Sequence, residues 1–393
     1  MLLTAIFVHS AQVQAAPQSH KAPTGDFAAL SAQAEQASEH DRLDDAIALY
    51  RKALALKPAW SEGWWSLGTI QYDRNAFKDA AAAFRHAAAL EPKKGSPRVM
   101  LGLCEFELGD DDAALKHIED GKQLGLNPDP QFQEVMLYHE GVLLSRKGRF
   151  NAAGEVFSQL SKSGVQSEEL ILALGMTALQ IRPKDLPVEG APGREVVRLA
   201  GQAEALVATG KFDEARQAYS RLVSDYPDYL NIHYAHGRLL LQLGDVDDAV
   251  AAFQQEIKNS PQSVPARLQI AAARYLANSA EGLPYAQEAV KLAPQLPFAH
   301  YLYGLLLLDT GDFQQAIPHL ELAVKGLKGE PGIYFALGRA YARAGRKQEA
   351  ARARATFVRL KQQAGASKST NADGEQPSLP SPDRASEGLA PPH

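Results

Sequence analysis

The sequence predicts an all-α fold, a solenoid of about nine stacked helix–turn–helix repeats with one additional helix. Three observations predict it. Glycines recur at a 34-residue step: Gly68 with Gly102, Gly210 with Gly244, Gly304 with Gly338, and Gly311 with Gly345. Prolines keep the same step, Pro58 with Pro92 and Pro227 with Pro261. Between these anchors apolar residues fall at helical spacing, as with Trp64, Leu67, Ala80, Phe84 and Ala87 in residues 61–94. One such helix pair cannot bury its own apolar face, so the units stack on their neighbours.

Residues 27–60 form the first repeat, with Ala34, Ala46, Tyr50, Ala53 and Pro58 on pattern. Gln33 and Ala37 replace larger residues there, as suits a terminal unit. Residues 61–94 are the most regular repeat, and 95–128 keeps Leu101, Gly102, Gly109 and Ala114. A spacer, Asp129 to Gln133, precedes the fourth repeat, 134–167, marked by Gly141, Gly148, Ala153 and Phe157. A lone first helix follows at 168–181, with Leu174-Gly175 in the usual place. The prolines and glycines of 182–195 break helices and predict a loop. Five further repeats complete the series: 196–229, 230–263, 264–296, 297–330 and 331–364. The chain thus divides into an N-terminal block, 27–181, and a C-terminal block, 196–364, with a hinge expected at the break between them.

Glycine at the eighth position and alanine at the twentieth let the two helices of a repeat approach closely. Gly109, Gly148, Gly210, Gly244, Gly311 and Gly345 are placed to end first helices in a left-handed conformation. Asp110, Asp245 and Asp312 follow as N-caps of second helices. Pro284 and Pro318 predict a bend or a late start in their second helices, unless each lies within the first turn. Arg354 replaces the usual aromatic of the last second helix, which suits a face exposed to water.

At the ends, residues 1–16 look like the tail of a secretory signal without its basic leader. Residues 17–26 read as a linker. Residues 365–393, rich in Ser, Pro, Gly, Ala and Asp, read as a disordered tail.

The residues of 61–94 at these spacings, Trp64, Leu67, Gly68, Ala80, Phe84, Ala87 and Pro92, resemble the tetratricopeptide repeat. The resemblance covers roughly 27–364 and implies a right-handed superhelix whose first helices line a concave groove. It also implies that positions 2, 5, 9, 12 and 13 of each repeat face that groove. In this chain they supply a peptide-groove set: Trp65, Tyr138, Tyr234, Tyr301 and Phe335 at the fifth position, Tyr72, Phe106 and Tyr275 at the twelfth, and Phe298 at the second. Arg238, Arg339 and Arg343 lie on the same face and can anchor an anion or remain solvated. Such rings suit extended peptides, stack on sugar rings, or simply pack against the next repeat. The Lys/Asn set by which some family members clamp a C-terminal carboxylate is not recognisable.

The chemistry is otherwise sparse. A net charge of −5 gives no basic stripe for nucleic acid. No apolar run approaches a membrane span. Cys104, the single cysteine, reads as an inert core thiol. His233 and His236 sit three apart, at interhelix packing positions, without further ligands to complete a metal site. Tyr138-His139-Glu140 lacks the second histidine of a metalloprotease helix. No nucleophile elbow, phosphate loop or dinucleotide fingerprint is present. The expectation is a non-enzymatic scaffold without cofactor or metal, binding a protein or peptide partner in the periplasm, at the cell envelope, or as a secreted protein. Three alternatives stay open: a carbohydrate or envelope-polymer binder, a cytoplasmic adaptor, and an enzyme with its site near the 182–195 loop.

Overall fold

The computed structural model describes residues 25–126, 129–275 and 277–365. The signal-like segment 1–16, nearly all of the linker 17–26 and the tail 366–393 lie outside the described residues. Among the described residues are nineteen α-helices, one 3-10 turn and no strand. They are α1 (Gly25–Glu39), α2 (Leu43–Leu56), α3 (Ser61–Asp73), α4 (Phe77–Leu90), α5 (Ser96–Glu107), α6 (Asp111–Leu124), α7 (Pro130–Arg146), α8 (Phe150–Lys162) and α9 (Glu168–Ala178). The remainder are α10 (Pro192–Ala208), α11 (Phe212–Asp225), α12 (Ile232–Leu243), α13 (Val246–Asn259), α14 (Val264–Arg274), α15 (Ser279–Leu292), α16 (Pro297–Asp309), α17 (Phe313–Gly326), α18 (Pro331–Arg343) and α19 (Lys347–Gly365). The helices fall into two compact units, Met1–Leu143 and Leu144–His393, which part inside α7.

Within a repeat the helices are joined through a socket. A Cβ on Gly68 would stand 2.8 Å from the ring of Phe84, and one on Gly102 2.9 Å from Ile118. The same holds for Gly237 with Phe253 and Gly304 with Leu320, each at 2.7 Å. In every case the eighth-position glycine receives the large side chain sixteen residues further on. The glycine therefore admits a side chain rather than merely a neighbouring backbone. Alanine at the twentieth position, as in Ala80, Ala114, Ala249 and Ala316, is fully buried beside it. Burying such a Phe or Leu contributes about 1.5–3 kcal/mol. In the last repeat Arg354 is exposed, yet its Cγ still lies 3.1 Å from where a Gly338 Cβ would be, so its stem covers the socket.

The turns follow the sequence closely. All six glycines expected to end first helices have positive φ, and Asp41 and Asn75 take the same place in the first two repeats at 57° and 58°. Asp110 and Asp312 accept from Ala113 N and Gln315 N as N-caps. Asp245 does not cap its helix; its carboxylate is taken by Arg216 of the preceding second helix. Pro284 and Pro318 are each the sixth residue of a helix that starts on time. The carbonyls they leave without a donor belong to Ala280 and Gln314, both on exposed residues open to water, so no late start is needed.

The helix read from sequence as unpaired, α9, has a partner. A Cβ on Gly175 would meet Val197 O at 1.9 Å, and one on Gly201 would meet Ile171 O at 1.8 Å, so α9 and α10 cross backbone to backbone. Helix α10 also begins at Pro192, inside the stretch expected to be loop, because proline is well suited to a first helical turn. The same helix then pairs with α11, whose buried Tyr219 donates to Glu204. Asn231 Nδ2 donates to Leu179 O at 2.8 Å, tying the end of α9 to the start of α12. The fully buried Glu256 accepts from Asn231 N and Tyr234 N at 2.9 and 3.3 Å, satisfying the first amides of α12. These contacts bind together the two sides of the 182–195 break, and the boundary between units lies elsewhere.

A second recurring contact involves the fourth position of the repeat. Trp64 Nε1, His233 Nε2, His300 Nε2 and Tyr334 Oη each donate to the carbonyl six residues earlier, at 2.8, 2.9, 2.9 and 3.2 Å. A carbonyl only accepts, so Nε2 carries a proton in both histidines. His300 Nδ1 lies 2.8 Å from Nδ1 of His319, which burial and His300 hold below the usual histidine range. His236 stacks on Tyr219, and burial lowers its pKa to about 4. Cys104 is buried and its thiol is pushed up to about 12, as an inert core residue requires.

Two outcomes follow from these contacts. Gly175→Ala and Gly201→Ala should each lower unfolding free energy by roughly 3 kcal/mol or more in urea titrations. Gly210→Ala, with open space around a φ of 77°, should cost only about 1–2 kcal/mol. His236 is neutral in the fold, so its contribution is complete above the unfolded pKa near 6.5 and is lost as pH falls toward about 4. Stability measured across that window should fall by on the order of 2–3 kcal/mol more in wild type than in His236→Leu.

Candidate functional site

The expected groove residues divide according to burial. In the first unit Trp65 and Tyr72 on α3, Phe106 on α5 and Tyr138 on α7 are all partly exposed. Trp65 and Tyr72 are seven apart, so they share one stripe of α3. Each ring packs against an aromatic neighbour. Trp65 meets Phe84 edge-on at 5.5 Å, Tyr72 meets Phe77 at 5.4 Å, and Phe106 meets His139 at 4.6 Å. His139 also adjoins Tyr138, at 5.9 Å, while its Nδ1–H donates to Val135 O.

Buried carboxylates fix two of the three helices that carry these rings. Glu105, buried next to Phe106, lies 2.6 Å from His117 of α6. Glu140, buried two residues beyond Tyr138, accepts from Lys122 of α6 at 2.6 and 2.7 Å. Both α5 and α7 are therefore locked to α6. Burial, with the charges of Glu107 and Asp73 nearby, pushes the Tyr72 hydroxyl well above the usual phenol range. It remains a protonated donor beside two carboxylates.

The second unit is different. Tyr234, Phe298 and Tyr301 are each 1% exposed and belong to the apolar core. Tyr234 packs on Phe253 and Phe298 on Tyr301. The Tyr301 hydroxyl would lie 2.2 Å from a Cβ on Gly332, so it is seated against the first helix of the next repeat. These three rings are interhelix packing, not a surface for a ligand. Gly332, second in the following repeat, was the sequence signal for Tyr301; the repeat after Tyr234 has Pro265 there. Arg238, Tyr275, Phe335 and Arg339 are partly exposed and Arg343 is exposed. Phe335 rests on Phe357 at 5.4 Å. Burial and Asp309 raise the Tyr275 hydroxyl while Arg339 opposes them, which brings these three groups within electrostatic reach.

Among the described residues, no group of three or more His, Cys, Asp or Glu side chains is placed to hold a metal ion. No helix among them is long and apolar enough to cross a membrane. His233 and His236 do not converge on a shared point: one caps a carbonyl and the other stacks on Tyr219.

Comparison with known proteins gives one family. The sequence matches the tetratricopeptide repeat over residues 31–97, 201–264 and 268–331. No curated protein matches it. Among solved structures, MamA (41-end) from Desulfovibrio magneticus RS-1 is 22% identical, covers 46% of this chain and 100% of its own, and has a TM-score of 0.40. YrrB, described as a TPR protein with an unusual peptide-binding site, is 15% identical over 42% of this chain and 87% of its own, at a TM-score of 0.39. Yeast Tom70 is 15% identical over 86% of this chain and 84% of its own, at 0.34. The family match falls in both units, on the helix pairs whose glycine sockets repeat there, and the chain belongs to the tetratricopeptide-repeat family.

Proposed function

We propose that this protein–protein interaction scaffold grips an extended segment of a partner along the first-helix face of its first unit. The observation that carries the reading is the set of four partly exposed rings, Trp65 and Tyr72 on α3, Phe106 on α5 and Tyr138 on α7, with α5 and α7 both tied to α6 through the buried carboxylates Glu105 and Glu140. Rigid aromatic surface binds with little loss of side-chain entropy, and aromatic residues dominate binding energy at interfaces. The protonated Tyr72 hydroxyl supplies a donor for a backbone carbonyl of the segment. Asp73 and Glu107 beside it favour a basic residue at that point.

The role is read as non-enzymatic because stacked tetratricopeptide repeats present an extended surface to a partner. The place of action is the periplasm or cell envelope. The apolar run from Leu2 to Val8 and the small residues at Ala15 and Ala16 support export. N-terminal sequencing of the native protein should begin near residue 16 or 17, and an intact Met1 would overturn the export reading.

The groove is tested by crosslinking in native envelopes. Trp65→Ala combined with Phe106→Ala should reduce partner capture at least about tenfold, because rings of this kind contribute roughly 1–2 kcal/mol each or more. Helicity by circular dichroism should be retained, and Phe335→Ala in the second unit should capture normally. Unchanged capture by the double variant rules the groove out. Capture that survives protease treatment of the envelope fraction points to a polymer instead of a protein.

A further inference from the structure

The second unit carries two equivalent recesses on its second-helix side. One, of about 390 Å³, lies between α11 and α13 over α12, and uses Ser220, His236, Leu240, Asp248, Ala251 and Gln255 in its lining. The other, of about 280 Å³, lies between α17 and α19 over α18, and uses Glu321, Leu337, Tyr341, Glu349, Arg352 and Thr356. Residue for residue these sets are 101 apart, which is three repeats with one residue deleted. They are the same structural position, differently furnished.

Three residues that line the smaller recess, Glu321, Tyr341 and Glu349, hold a basic side chain of the chain itself at its edge. Arg346 pairs with Glu349 at 3.0 Å and Glu321 at 3.9 Å, and its guanidinium lies 4.5 Å from the centre of the Tyr341 ring. The first repeat makes the corresponding pair, Arg42 with Asp45 at 3.3 Å. In the larger recess the cation is missing from this position. The residue equivalent to Arg346 is Asp245, which is engaged by Arg216. The residue equivalent to Glu349 is Asp248, which is exposed and forms no hydrogen bond or ion pair among the described residues. Ala251 stands in it where the other has Arg352. Of the two charged side chains that line it, Arg216 is paired with Asp245 and Asp248 is without an ion pair, and burial keeps the His236 ring neutral.

We propose that the recess between α11 and α13 takes the guanidinium of an arginine from a protein partner, seated against Asp248 as Arg346 is seated against Glu349. A carboxylate can receive a guanidinium through two parallel hydrogen bonds. The partly exposed His236 lines the recess beside it. This site is on the second-helix side of the second unit, so it does not depend on the aromatic face of the first.

The test uses the full chain with isotope-labelled histidine, titrated with Nα-acetyl-arginine methylamide and followed by the His236 ring resonances. A saturable shift is expected, with none from the uncharged isostere Nα-acetyl-citrulline methylamide. Asp248→Asn, at an exposed position compatible with folding, should weaken the response at least about fivefold. Ala251→Leu, which narrows the recess from an exposed helical site, should do the same. The proposal is overturned by a response that never saturates, by an equal response to citrulline, or by an unchanged response in both variants.

Discussion

The structure depends on the contact between the eighth and twenty-fourth positions of each repeat. Phe84 in Gly68 and Phe253 in Gly237 are the same event in two separate repeats: a ring enters where a Cβ would stand. Because the socket fixes how a first helix is rotated about its axis, it also decides what that helix turns toward its neighbours. Trp65 and Tyr72 keep a free edge because Gly68, on the flank of their stripe, is already committed to Phe84. Core and surface are therefore set by one residue type at one place, and a repeat that loses it must compensate. Arg354 shows how, by laying an aliphatic stem across the gap.

Much of this was legible because it is local. A glycine 34 residues from another, or a turn residue at the fifteenth position, needs no knowledge of distant chain. Asp41 and Asn75 escaped notice only because they meet the left-handed requirement without being glycine. What could not be read was non-repeating or lay between repeats. Gly201 is not at an eighth position, so nothing in the periodicity marked it as the partner of Gly175. Tyr234 and Tyr301 stand on the expected face, but whether a face is open depends on the next repeat, and there Gly332 lets Tyr301 close in. Asp245 had the right place for a cap and lost the role to a stronger claim from Arg216.

The fourth-position contact shows a different economy of information. Indole, imidazole and phenol are chemically unlike, yet Trp64, His233, His300 and Tyr334 all donate one hydrogen to one carbonyl. The requirement is for a ring of sufficient reach with a proton at its tip. A histidine there signifies a hydrogen bond at the mouth of a turn. His233, which three residues from His236 suggests metal chemistry, is in the company of its counterparts a structural donor.

Stacked repeats commonly behave as a one-dimensional array, in which each unit can open once its outer neighbour has gone. The crossing of α9 with α10 changes that behaviour locally. Helix α10 belongs to two pairs at once, and Asn231 spans from Leu179 to the amide-capping carboxylate of Glu256. Helices from α9 to α13 consequently cannot fray one pair at a time; they open as a single foldon. Amide exchange through this stretch would show one shared protection level where a plain array shows a gradient, and that shared level would span both sides of the 182–195 loop.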